Sequence, residues 1–155
     1  MTFSRPVCYF YFLPLRKLPP SLVNDGIIML VQGAILCLAL NIYHEARGEP
    51  LKGQIAVASV TMNRANWDVT QICPVVYAPK QFSWTHLKKD AFSYPANSDK
   101  SWQRAQQIAH QIVNGELSDV TNGATYYHNQ KVTPAWRSAF SQTAAIGNHI
   151  FYAKR

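Results

Sequence analysis

Glu45 is the residue of this chain best placed for acid chemistry. It follows fourteen nearly uninterrupted apolar residues, Ile27 to Leu40, and stands inside Asn-Ile-Tyr-His-Glu-Ala-Arg-Gly-Glu-Pro at positions 41–50. Gly48 suits a helix C-cap. Pro50 keeps Glu49 out of helical backbone geometry while suiting the first turn of a new helix. Glu45 is therefore expected in the last turn of an apolar helix, on the face of Leu38 and Ile42. Partial desolvation and the negative end of the helix dipole both favour its protonated form at neutral pH. A carboxylic acid kept protonated beside a cleft is what general-acid cleavage of a glycosidic bond requires.

The same residues carry a resemblance. Tyr43-His44-Glu45-Ala46-Arg47-Gly48-Glu49-Pro50, Gly53-Gln54-Ile55-Ala56-Val57-Ala58 and Asn63-Arg64 form the first block. Cys73-Pro74-Val75-Val76-Tyr77 and Gln81-Phe82-Ser83-Trp84-Thr85 follow, then Ala124-Thr125-Tyr126-Tyr127-His128, Val132, Pro134, Trp136 and Ile146-Gly147-Asn148-His149-Ile150-Phe151-Tyr152. In this order the blocks resemble the spore-cortex-lytic (SleB-like) cell wall hydrolases over roughly residues 35 to 153. The resemblance implies a lysozyme-like fold, cleavage of peptidoglycan glycan strands and Glu45 as the catalytic acid. It implies a lytic transglycosylase with one Glu, which protonates the glycosidic oxygen and then takes the proton of the sugar's own 6-hydroxyl as a 1,6-anhydro ring closes. Tyr126 stands where many relatives have His, so no role carries over to it.

Other candidate groups are weaker. Glu49 caps the second helix or supports the acid, and capping is the preferred reading. A two-carboxylate glycosidase needs a second acid, but Asp68, Asp90, Asp99, Glu116 and Asp119 have no distinctive context. Phe82 and Trp136 read as core aromatics. Trp84 and Tyr127 are the choices for cleft walls on which sugar rings stack, with Gln81, Ser83 and Thr85 beside them to hydrogen-bond N-acetyl or hydroxyl groups. His128 either lines the site or makes a structural hydrogen bond. No His-Glu-x-x-His occurs, and Cys73 and His86 have no nearby partners, so no metal site and no cofactor are expected. Two alternatives to the glycosidase stay open: an N-acetylmuramoyl-L-alanine amidase, and a non-catalytic protein that keeps a lysozyme-like cleft to hold glycan.

The elements that must position these residues are mostly helical. A first helix is expected over 30–47. A second runs from Pro50 to Ala65 with Leu51, Ile55, Ala58 and Met62 on one stripe. Pro74, Pro79 and Pro95 break the pattern over 66–97 into loops and short turns. A third helix over 99–114 carries Trp102, Ala105, Ala109 and Ile112. Ala124–His128 reads as a strand, 135–145 as a further helical piece, and His149–Ala153 as a final strand after a Gly147-Asn148 turn. The fold class is α+β, helices dominant, with a small β-hairpin.

At 155 residues the chain is long enough for one domain with a real core. Residues 1–30 are expected as an N-terminal extension, non-native, disordered or targeting, and 31–155 as the catalytic domain. Met29 is a plausible true start. The run Ile27–Leu40 is short for a membrane span, which takes about 20 residues, and reads as an uncleaved core helix; membrane association of the N-terminus stays open. Cys8, Cys37 and Cys73 are an odd number at unrelated spacings. A Cys37–Cys73 bridge is possible but has no support in the spacing, and Cys37 reads as a small buried hydrophobe. The formal net charge is +7, carried by scattered basic residues; it suits nucleic acid, an anionic membrane or the acidic bacterial wall without choosing among them, and a merely solubilising surface fits about as well as a nucleic-acid footprint, so no nucleic-acid partner is expected. A monomer acting on the wall, from the periplasm, after secretion or as a phage-encoded lysin, is the expected setting.

Overall fold

The computed structural model describes residues 20–87 and 94–155. Helix α1, Pro20–Ala46, begins ten residues before the expected start, with Pro20 in the first turn where a missing N–H costs nothing. It passes through residue 30 without a break; of the expected extension, residues 1–19 lie outside the described residues. Its apolar surface runs all round, and the segment Asn24–Ala46 is long and apolar enough to cross a membrane by length and composition alone. The C-terminal half is instead the core of the domain: Leu38, Ala39 and Ile42 are fully buried, whereas Ile27, Ile28, Met29 and Leu30 are exposed.

Around that half pack α2 (Leu51–Arg64), the short helices α3 (Ile72–Val76) and α4 (Trp84–Leu87), and α5 (Lys100–Val113). Asp99 caps α5, its carboxylate accepting from the backbone N–H groups of Ser101 and Trp102 at 2.8 and 3.2 Å. The expected stripe of Trp102, Ala105, Ala109 and Ile112 is buried against α1. On α2, Ala58 and Met62 are buried as expected, but Leu51 stays exposed. Asn41, fully buried, ties three elements: it donates to the Thr61 hydroxyl at 3.0 Å and accepts from the Trp84 indole N–H at 3.0 Å. Burying a carboxamide costs little when its donor and acceptor are both used.

Two sequence readings are corrected here. Cys37 and Cys73 form a disulfide that pins α1 to the Pro-containing turn of α3, with Cα atoms 5.3 Å apart. Residue spacing could not reveal a contact made by a helix and a distant turn. The second correction concerns 135–145, which is a 3-10 turn at Ala135–Ala139 followed by strand β2, Phe140–Ile146. Its alanines favour a helix locally, but antiparallel pairing with β3 (His149–Lys154) wins, with a bulge between Gln142 and Ala144. Strand β1, Tyr126–Asn129, pairs with the other edge of β3, so the expected hairpin is a three-stranded sheet in the order β1-β3-β2. Phe151, fully buried on β3, sets the sheet on Ala56 and Val60 of α2.

Candidate active site

The last turn of α1 delivers Glu45 to the sheet. The apolar helix fixes its backbone, Ala46 behind it is buried, and the chain turns away at Arg47-Gly48. Glu45 is half-buried, and the Tyr127 hydroxyl of β1 donates to its Oε2 at 2.9 Å. Burial holds the Glu45 carboxyl above the usual glutamate range, opposed by the Tyr127 hydrogen bond and by the charge of Arg64. Tyr127 is itself pushed well above the usual phenol range by burial and by the adjacent carboxylate. It stays a hydrogen-bond donor throughout the working pH range.

Arg64, at the end of α2, sits opposite. Its Nε donates to the Thr125 carbonyl at 2.6 Å, and its guanidinium lies 5.2 Å from the Phe82 ring centroid and 5.8 Å from that of Tyr126. Arg64 and Glu45 share a cavity of about 570 Å³ with Gln81, Ser83, Tyr127 and His149. Among the described residues, Glu45 is the one carboxylate lining it.

The sequence-predicted site residues divide. Gln81, Ser83, Tyr127 and His128 line the Glu45 cavity. His128 is also structural: its Nδ1 lies 2.9 Å from the Asn129 carbonyl, its Nε2 lies 3.1 Å from the Tyr152 hydroxyl, and its ring stacks on Tyr152. Trp84 is not a cleft wall. It is buried in the core, its indole N–H spent on Asn41 and its ring 4.6 Å from that of His44. Thr85 turns its hydroxyl onto the Phe82 carbonyl at 2.8 Å and stays out of the cavity. Tyr126 packs its ring 4.3 Å from Phe140 and 5.6 Å from Trp136.

Glu49 does not cap α2. Pro50 occupies the cap position without a side-chain bond. The carboxylate reaches instead to the β2–β3 turn, accepting from the Asn148 backbone N–H at 2.8 Å and its side-chain amide at 3.1 Å. It lies 3.9 Å from Nδ1 of the buried His149, whose ring meets that of Tyr127 edge-on. Gly147 is required at that turn: its φ is +59°, and a Cβ there would overlap the Glu49 carboxylate. Three of the other acidic candidates serve the fold: Asp68 caps the 3-10 turn at Val69–Gln71, Asp99 caps α5, and Asp119 binds Thr121 and the Gly123 N–H. Glu116 is exposed, does not line the Glu45 cavity and caps no described helix. Asp90 lies outside the described residues.

Arg64 and His149 are the site residues the sequence reading passed over as chemistry. Both stand in the blocks that carry the resemblance, Asn63-Arg64 and Gly147-Asn148-His149, and that was the available signal.

Helices enclosing the acid-bearing helix, with a small antiparallel sheet closing the groove, make a lysozyme-like domain. The chain belongs to the cell wall hydrolase family, whose model matches residues 48–152. The match opens at Gly48, three residues past Glu45. The fold is similar to the catalytic domain of the Bacillus cereus SleB protein (TM-score 0.63, 30% identity, 79% of this chain and 91% of that one). It is equally similar to the catalytic domain of the germination-specific lytic transglycosylase SleB of Bacillus anthracis (TM-score 0.63, 30% identity, 79% and 95%). The spore cortex-lytic enzyme of Halalkalibacterium halodurans is 37% identical over 120 residues, 76% of this chain and 34% of that protein. The chain thus spans between a third and a half of the curated relatives it matches.

Proposed function

We propose that this chain cleaves the β-1,4 bond between N-acetylmuramic acid and N-acetylglucosamine in peptidoglycan as a lytic transglycosylase with Glu45 as its single acid–base group. One observation carries the reading: a half-buried carboxyl, its affinity for the proton raised by burial, is the lone carboxylate among the described residues lining a polar cleft. The protonated Glu45 gives its proton to the glycosidic oxygen as the C1–O bond breaks, releasing the N-acetylglucosamine 4-hydroxyl. Positive charge develops on the muramic ring. The Glu45 carboxylate then accepts the proton of the 6-hydroxyl while O6 bonds to C1, which regenerates the acid and leaves a 1,6-anhydro end. No second carboxylate is needed, since the attacking oxygen belongs to the substrate.

Tyr127 holds the carboxyl in one orientation and steadies its ionised state between the two proton transfers. Arg64 supports that state through space. The SleB neighbours, one of them a lytic transglycosylase, support the reaction class. Mass spectrometry of muropeptides released from purified walls tests it. Anhydro-muramic ends are expected. Reducing ends would make the enzyme a hydrolase that admits water in place of O6, and free stem peptides would replace the reading with an amidase.

A further inference from the structure

The N-terminal half of α1 runs clear of the domain. Core burial along the helix begins at Ala34, whereas every residue from Asn24 to Leu30 is exposed. Ile27, Ile28, Met29 and Leu30 therefore put four large apolar side chains in a row into water. Single apolar residues on a surface are ordinary, but a contiguous cluster marks an interaction site. By length and apolar character the same helix could cross a membrane over Asn24–Ala46. A crossing is excluded, because its second half is already spent on the core.

The arrangement of these four side chains selects the kind of partner. Successive helix positions turn by about 100°, so Ile27, Ile28, Met29 and Leu30 point to all sides of the helix and leave no polar face among them. A groove on another protein takes up one face of a helix and leaves the other to water, which wants it polar. A medium that surrounds the helix fits these residues better, and that medium is lipid. Polar residues bound the segment, Asn24 and Asp25 at one end and Gln32 at the other, placed to stay at the headgroups. The stretch between them, residues 26–31, is about 9 Å long at about 1.5 Å per residue. That is far short of the ~30 Å hydrocarbon core but matches the depth of about 5–10 Å to which interfacial helices enter a bilayer. The formal net charge of +7, with Arg16 and Lys17 just ahead of α1 in the sequence, favours anionic headgroups over neutral ones.

We propose that the exposed end of α1 is a lipid-docking surface, with Ile27 to Leu30 inserted shallowly into an anionic bilayer and the folded domain held at the membrane face. Docking of this kind is independent of the reaction at Glu45. Co-sedimentation of the full chain with vesicles tests it, using phosphatidylglycerol mixed with phosphatidylcholine against phosphatidylcholine alone. The variant carries Ile28→Gln together with Met29→Gln. Both positions are exposed and glutamine is a good helix former, so the melting temperature and the lysis of purified, lipid-free walls should match the parent. The parent is expected to pellet with the anionic vesicles and much less with the neutral ones. The variant should partition onto the anionic vesicles about tenfold more weakly, as the apolar contribution is lost. Equal binding by parent and variant, or no binding by either, overturns the proposal. A stable oligomer of the parent in vesicle-free sedimentation velocity, dissolved by the same two substitutions, also overturns it, since a second copy of the chain would then cover these residues.

Discussion

The carboxyl of Glu45 is pulled two ways: burial favours its acid form, while Tyr127 and Arg64 favour the carboxylate. The role proposed for Glu45, giving a proton and then accepting one, is best served when neither form is strongly preferred. Glu45→Gln should keep the fold and lower wall lysis by about 10²–10⁴, the usual worth of a positioned proton donor; a turbidity assay on purified walls measures it. The same substitution has a signature in stability. The folded-state value of Glu45 lies above the unfolded one, so its contribution is complete at low pH and is lost as pH rises through the folded value. The melting temperature of Glu45→Gln should therefore match the parent below the ordinary glutamate range and exceed it increasingly toward neutral pH. At this scale the place of Glu45 at the end of the apolar helix was legible, because helix phase and a stop signal locate it without tertiary information. Trp84 was not: an indole in a loop motif gives no sign that Asn41 waits in the core to accept its N–H.

Between elements, the Glu49 carboxylate joins the α1–α2 turn to the β2–β3 turn. Because β3 pairs with β1, that grip fixes where Tyr127 meets Glu45. Glu49→Ala should cost about 1.5–3 kcal/mol, the range for hydrogen bonds to a charged group, seen in urea titration. Lysis should fall less than for Glu45→Gln, and an equal loss at unchanged stability would make Glu49 a chemical group. Helices α1, α2 and α5 could be read from periodicity and caps to within a few residues, apart from the start of α1. Strand β2 could not, since its alanines state a local preference and its partner strand supplies the deciding hydrogen bonds. The role of Glu49 was hidden for the same reason: its partner Asn148 lies 99 residues away.

For the whole molecule, α1 is the central fact. Ile27, Ile28, Met29 and Leu30 in its first half are exposed, and its second half is the core. A chain beginning at Met29 should stay folded and lytic. One beginning at Asn41 loses Leu38, Ala39, Leu40 and the Cys37 bridge; burying one aliphatic side chain is worth about 1.5–3 kcal/mol, so several together rival the stability of a domain. Far-ultraviolet circular dichroism on both chains decides the matter. Composition made a single folded domain legible, while the cross-link across 36 residues was invisible in the spacing of the cysteines.

That cross-link has a consequence for timing. In the chain-entropy view, a bridge closing a loop of this size is worth about 4 kcal/mol, a large part of what a small domain has to spare. Cytosolic thiols keep such bridges open, whereas exported proteins keep them closed. A nascent chain held in a reducing cytosol would therefore be a loosened version of itself, with the acid-bearing helix unsecured at Cys37. It would reach full rigidity only on arrival where oxidation is allowed. Melting curves with and without dithiothreitol should differ by well over 5 °C, and curves that coincide would remove the cross-link from this account.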